Sequence, residues 1–162
     1  MEGGGGSAAV ALRGALMGGS LTLSQQDTEA LRFAGMLHDS GKLAIPARIL
    51  RRADGLSAVD LVSIASHAAR GVEMIRDIEF LKDSFAAILH HHERMDGRGY
   101  PAGLVGEDIP LFARILAVAD AFHSLTTSRS PRRAHPGGEP APDLPPPGAP
   151  PGDPLQVAAG GG

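Results

Sequence analysis

The sequence predicts an all-α fold, a helical bundle over residues 21–133 followed by an unstructured tail. Three observations carry this. Apolar residues recur at three- and four-residue spacing through the middle of the chain, the period of a helix that buries one face. Ser-x-x-Asp pairs stand in front of two of these runs, where a helix needs a side chain to satisfy its first amides. No stretch alternates polar and apolar residues for long enough to argue a sheet.

The elements follow in order. Residues 3–20 carry seven glycines, each costing about 1 kcal/mol in a helix interior, so residues 1–20 are expected to be a degraded, flexible segment. Ser24, with Asp27 at the capping-box position, opens a helix running through Leu37, on which Leu31, Ala34, Leu37 and His38 share a face. A loop with Gly41 and Pro46 follows. Ser57 and Asp60 form a second box, with Leu56 and Leu61 as a hydrophobic staple around it. That helix carries Leu61, Ile64, Ala65 and Ala68, with His67 near its end. Val72, Ile75 and Ile78 suggest a short helix. Another starts near Lys82, with Phe85, Ile88, Leu89 and His92 on one face. Gly97, Gly99, Gly103 and Gly106 mark a long loop, and Asp108 and Pro110 open a last helix on which Ala113, Leu116, Ala117 and Asp120 align. In residues 134–162, 16 of 29 residues are Pro or Gly. Such a segment buries too little apolar surface to offset its ordering entropy and is expected to be disordered.

Composition removes several classes of function. The chain of 162 residues has no cysteine, which excludes disulfides, thiolate catalysis and Cys-type metal sites. Aromatics are 4% of residues and Trp is absent, against a stacking platform for single-stranded nucleic acid. A formal net charge of −3 offers no broad surface for a nucleic-acid polymer and no polybasic membrane anchor. The N-terminus lacks the basic start and apolar run of a signal peptide, and Val10–Leu23 is too short and broken to span a bilayer. The expected setting is soluble and cytoplasmic.

The chemistry resides in His and Asp. His38, His67, His92 and Asp120 are each expected toward the C-terminal end of a helix, on or beside its apolar face, with Asp39 and His91 as neighbours of two of them. Taken singly, each has a plain structural reading: a hydrogen-bonded core histidine, a solvated helix end, a cap. Several ionisable groups aimed into one core are costly unless something compensates them, and a metal held between helices does so. Imidazole with carboxylate suits Fe, Mn, Zn, Co or Ni. A carboxylate such as Asp39 is able to bridge two ions, which together serve phosphoryl displacement.

His38-Asp39-Ser40-Gly41-Lys42 resembles the HD-x-G-K motif of the HD phosphohydrolases. The run from His91-His92-Glu93 through Asp96-Gly97 to Gly99-Tyr100-Pro101 matches the HHE-xx-DG-x-GYP motif of the HD-GYP family, and Ala117-Val118-Ala119-Asp120 and Leu125-Thr126 continue that pattern. The resemblance covers residues 21–133 and implies an HD-domain-like helical bundle that hydrolyses cyclic di-GMP. It implies that His38, Asp39, His67, His91, His92 and Asp120 ligate two divalent ions, Fe or Mn first among them, with Asp39 bridging and a bridging hydroxide attacking phosphorus. Lys42 would contact a substrate phosphate, and Arg129 and Arg132 fall where relatives place further phosphate-binding residues, although an exposed loop charge is an equal reading of both. The loop holding Gly99, Tyr100 and Pro101 would lie beside the site and contact diguanylate cyclase (GGDEF) domains, or else serve as a structural loop.

The chain departs from that pattern in places. It has no His before His38, so a dinuclear site is expected rather than a trinuclear one. His123 stands where relatives have an acidic residue. The family fold continues past Arg133, whereas this chain turns into the Pro-Gly tail, so a domain truncated at both ends and marginally stable unless it forms a homodimer is expected. The alternatives are a catalytically impaired fragment acting as a binding or adaptor module, and a phosphohydrolase for another cyclic dinucleotide or a mononucleotide. Metal content separates the first from an enzyme, and a substrate panel separates the second.

Overall fold

The computed structural model describes residues 3–20, 23–52 and 55–127. These form seven α-helices: α1 (Gly3–Ser20), α2 (Gln25–Leu37), α3 (Ala47–Leu50), α4 (Ala58–Ala65), α5 (His67–Ile75), α6 (Phe85–His90) and α7 (Leu111–Thr127), with 3-10 turns at Ser40–Ala44, Glu79–Ser84 and Gly106–Asp108. The only bridge of β type among the described residues joins Asp96 to Val105 across the glycine-rich loop. The fold is all-α. The tail 134–162 lies outside the described residues.

The cap signals act as the sequence suggests. The Ser24 hydroxyl accepts from the Asp27 amide at 3.1 Å. Ser57 and Asp60 make the full reciprocal box at the start of α4. Pro110 stands directly before α7, and its carbonyl accepts from the Arg114 amide at 3.1 Å.

One expectation needs correction at the N-terminus. Residues 3–20 form α1, which packs on α2 and α7. Glycine lowers the intrinsic helix propensity, but it also lets backbones approach. A Cβ on Gly35 of α2 would meet the Ala11 backbone, and one on Gly14 would touch the Leu31 side chain. Val10 and Ala11 are buried at this contact. Burial of a residue such as Val10 contributes about 1.5–3 kcal/mol, enough to offset two or three glycine penalties.

Two further boundaries differ from the sequence reading. The helix expected to carry His67 near its end stops at Ala65, and His67 instead opens α5 after the break at Ser66. The helix expected from Lys82 begins as the 3-10 turn Glu79–Ser84 and becomes α-helical at Phe85. The core gathers Val10, Ala34, Ile75, Leu81, Ala87, Ile88, Leu116 and Ala119 from α1, α2, α5, α6, α7 and the turn before α6. Buried Ser84 ties that turn to α2 by donating to the Ala30 carbonyl at 2.9 Å. The bundle thereby brings the end of α2, the start of α5, the end of α6 and the middle of α7 to one place.

Candidate metal centre

Close backbone packing sets the first half of the site. His38 caps the end of α2 and Asp39 follows it into the turn Ser40–Ala44. That turn lies directly on α5. A Cβ on Gly41 would collide with the His67 carbonyl and the Gly71 amide, and one on Gly71 would press on Ser40 and Gly41. Gly41 has no room for a Cβ at this contact and Gly71 has little, and the approach puts Asp39 beside His67.

The geometry around Asp39 is that of a carboxylate facing several partners. Its Oδ2 lies 3.6 Å from His38 Nε2, and its Oδ1 lies 3.8 Å from His67 Nε2 and 2.8 Å from Lys42 Nζ. Burial alone would raise the Asp39 carboxyl. His38, Lys42 and His67 outweigh it and hold the group below the ordinary carboxylate range. Asp120 comes from the middle of α7 rather than its C-terminal end, and its Oδ1 is 3.8 Å from His38 Nε2.

The second half comes from the end of α6. His91 and His92 follow its last turn, and their rings lie 4.0 Å apart between centroids. One nitrogen from each of His67, His91 and His92 falls within 4.8 Å of the others, a set able to hold a metal ion. The His38 ring is 5.2 Å from that of His91. All six side chains singled out from the sequence thus converge at one place.

Three of the rings are oriented in the same way. The Nδ1 of His38, His67 and His91 lies 2.9, 2.7 and 2.7 Å from the carbonyl three residues back, on Gly35, Ile64 and Ile88. An N–H donated there leaves Nε2 as the lone-pair atom facing the site, the arrangement of a metal-ligating imidazole. The Nε2 atoms of His67 and His91 are buried without a hydrogen-bond partner among the described residues. Burial pushes the imidazoles of His67, His91 and His92 down, His91 to about 3, so they stand neutral at neutral pH. Neutral rings, an ionised Asp39 and orphaned Nε2 atoms fit a divalent cation: they need positive charge and offer lone pairs to it.

The remaining residues from the sequence reading fall as follows. Lys42 sits at the rim, half exposed and paired with Asp39. Arg129 and Arg132 lie outside the described residues. Gly99 passes so close to the backbone of Glu93 and Arg94 that a Cβ there would collide with both. Tyr100, followed by a cis bond to Pro101, stacks on His92 at 4.8 Å between centroids and 27° between planes. Burial raises the Tyr100 hydroxyl, and the negative charges of Asp39 and Asp120 raise it further. His123 faces α1 rather than the site, its Nδ1 3.0 Å from Arg13 Nη1.

One residue carried no role in the sequence reading. Glu93 is buried at 7% exposure. Its Oε1 accepts from the Ala102 amide at 2.7 Å and its Oε2 from the Leu104 amide at 3.1 Å, with His90 Nδ1 3.4 Å from Oε1. The only sequence signal was its place inside the matched motif.

With this geometry in hand, the comparisons with known proteins decide the family. A model of the HD domain matches residues 8–139. The chain belongs to the HD domain family. It is 40% identical over 116 residues to the cyclic di-GMP phosphodiesterase response regulator RpfG of Xanthomonas campestris, covering 70% of this chain and 31% of that protein. It is 40% identical over 97 residues to the cyclic di-GMP phosphodiesterase PA4108 of Pseudomonas aeruginosa, covering 59% and 23%. It is 38% identical over 113 residues to the 3'3'-cGAMP-specific phosphodiesterase 2 of Vibrio cholerae, covering 67% and 21%. The chain therefore spans a third or less of the length of these relatives. No helix among the described residues is long and apolar enough to cross a membrane.

Proposed function

We propose that this HD domain is a metal-dependent phosphodiesterase that hydrolyses cyclic di-GMP to linear pGpG, GMP or both. The observation that carries the reading is the convergence of orphaned, neutral imidazoles on the ionised Asp39 beside a lysine ammonium. In this reading His38, Asp39, His67, His91, His92 and Asp120 would hold two divalent ions, with one Asp39 oxygen toward His38 and the other toward His67. The donor set suits Fe or Mn, with Zn, Co or Ni as the other fits. The bound ions supply a water activated at neutral pH and neutralise charge on the phosphoryl oxygens.

The chain's own residues do the rest. The carbonyls of Gly35, Ile64 and Ile88 fix three imidazole orientations, so little reorganisation accompanies binding. Lys42, already at the rim, moves its ammonium from Asp39 to a non-bridging phosphate oxygen of the substrate. Arg129 and Arg132 take further phosphate oxygens. The glycine-rich loop with Gly99, Tyr100 and Pro101 walls the site through Tyr100 and carries the exposed Met95, and it would be the surface for a GGDEF domain. A cyclic dinucleotide messenger is a cytoplasmic solute, which places the enzyme in the cytoplasm. The exposed apolar residues Val118, Phe122 and Leu125 of α7 favour a homodimer, since a stripe of this kind is stabilised by a partner.

The test is anaerobic turnover of cyclic di-GMP with Fe(II) or Mn(II), beside an Asp39→Ala control. Metal-dependent turnover that the control loses supports the reading. Folded, metal-loaded protein that leaves cyclic di-GMP intact overturns it. The likeness to a cGAMP-specific enzyme favours 3'3'-cGAMP as the second substrate on the panel. Protein that purifies empty and refuses metal leaves a binding or adaptor module.

A further inference from the structure

We infer that Glu93 is a positioning residue: its buried carboxylate clasps the glycine-rich loop so that Tyr100 lies on His92 and fixes that imidazole in the site. The inference rests on the metal reading above for its consequence, but its first half concerns only contacts within the chain.

Four observations meet here. Glu93 is buried and both its oxygens are taken by amides of one loop, Ala102 on Oε1 and Leu104 on Oε2. A buried carboxylate is costly unless hydrogen-bonded, and bonds from backbone amides to an ionised acceptor are among the strong ones. The loop is closed at the other end as well: the Tyr100 amide donates to the His92 carbonyl at 3.2 Å, and Gly99 packs on the Glu93 backbone. Tyr100 lies between these fastenings, and its ring stacks on His92.

His92 is the ring that needs this. His38, His67 and His91 each hold Nδ1 against a carbonyl, and His92 makes no such contact among the described residues. Its orientation rests on the neighbouring rings of His67, His91 and Tyr100. Glu93 therefore does for His92, through eleven residues of loop, what Gly35, Ile64 and Ile88 do directly for the others.

The chain supplies its own probe. Tyr100 is the only Tyr and there is no Trp, so intrinsic fluorescence above the phenylalanine band reports on Tyr100 alone. The experiment uses the full chain and compares wild type with Glu93→Gln and Glu93→Asp. Gln keeps the size but replaces one acceptor oxygen by a donor, and Asp keeps the charge but shortens the reach. Acrylamide quenching of metal-free protein is read first. The clasp predicts a quenching constant about three-fold higher in Glu93→Gln, with Glu93→Asp between it and wild type. Mn(II) affinity by equilibrium dialysis is read second, and the expected loss is roughly 10–100-fold, the usual effect of losing an outer partner of a ligand. Ser84→Ala is the control for mere destabilisation: it loses a buried bond to Ala30, lowers the melting temperature and leaves both readouts at wild-type values.

A folded Glu93→Gln protein with Tyr100 as shielded as in wild type overturns the inference. If Mn(II) fails to bind wild type, the metal reading falls, while the quenching arm still decides the clasp. If Glu93→Gln does not fold, amide hydrogen exchange on wild type decides. Ala102 and Leu104 amides protected together, well above their exposed loop neighbours, support the clasp, and free exchange at both overturns it.

Discussion

Two halves of one site are held by different physics. On one side, His38, Asp39 and His67 are set by backbone on backbone: the turn Ser40–Ala44 lies on α5 with glycine at both contacts, and main-chain carbonyls orient the rings. On the other, His92 is set by side chains, a tyrosine ring over it and a buried glutamate holding the loop that carries the tyrosine. The first half is as rigid as the bundle itself. The second is as rigid as one loop, so it is where substitution is expected to loosen the site without unfolding the protein.

The largest effects belong to the rigid half. Asp39→Ala removes the carboxylate that faces both His38 and His67. Metal charge stabilisation is worth several kcal/mol, so at 1.36 kcal/mol per factor of ten the loss in turnover should be on the order of 10³-fold, read as cyclic di-GMP hydrolysis. Gly41→Ala tests the same half through the fold. Its Cβ meets the backbone of His67 and Gly71, which has no flexible end to move aside. A cost of about 3 kcal/mol should lower the melting temperature by roughly 10 °C. An unchanged melt would show that the turn is able to lift off α5.

Acidification tests the buried rings together. Their folded pKa values are depressed, first by burial, in His67, His91 and His92, with His91 at about 3. The unfolded chain takes up those protons near pH 6.5 and the folded chain does not. Stability from this source is therefore intact above pH 6.5 and is lost as pH falls below it, by up to about 1.4 kcal/mol per pH unit for each histidine kept neutral. Asp39 acts in the same direction at lower pH, since its depressed carboxyl stabilises the fold above its unfolded value and ceases to as it protonates. Melting of metal-free protein should fall steeply from pH 7 to pH 5, and Mn(II) should shift the fall to lower pH because it binds the neutral rings. A flat profile would mean that the rings are not shielded from water.

The two halves were not equally legible in the sequence. The rigid half is local except for His67: His38-Asp39-x-Gly41-Lys42 keeps its parts within five residues, and the helical period around Leu31 and Ala34 already points His38 inward. Glu93 was opaque because its partners are amides nine and eleven residues on, and every residue but proline has an amide. The break at Ser66 was hidden because Ser66 keeps helical dihedral angles, so periodicity runs through it and His67 reads as a helix end. The glycines of α1 misled for the opposite reason. Propensity counts the cost of each glycine and cannot see Ala11 lying against Gly35 or Leu31 against Gly14.

Tyr100 sharpens the comparison at smaller scale. Tyr100→Phe keeps the ring over His92 and should leave Mn(II) affinity within about two-fold of wild type, whereas Tyr100→Ala removes the stack. An aromatic pair contributes about 0.5–1.5 kcal/mol beyond its buried area, so the alanine variant should bind Mn(II) roughly three- to ten-fold more weakly in equilibrium dialysis. Equal weakening by both variants would move the effect from the ring to the hydroxyl, which lies near enough to Asp39 and Asp120 to feel their charge.

The smallest effect is expected where both halves are spared. Ser57→Ala removes the hydroxyl that caps α4, at a cost of about 1 kcal/mol, or a few degrees of melting temperature. α4 ends at Ala65, and its Ile64 carbonyl is what orients His67. The cap lies at the far end of that helix, about two turns away, and fraying from an N-terminus dies out within the first turn. Mn(II) affinity should therefore stay at the wild-type value while the melt shifts. A loss of affinity in step with the melt would show that α4 holds His67 as a rigid lever, and that the backbone-set half of the site reaches one helix further than its contacts show.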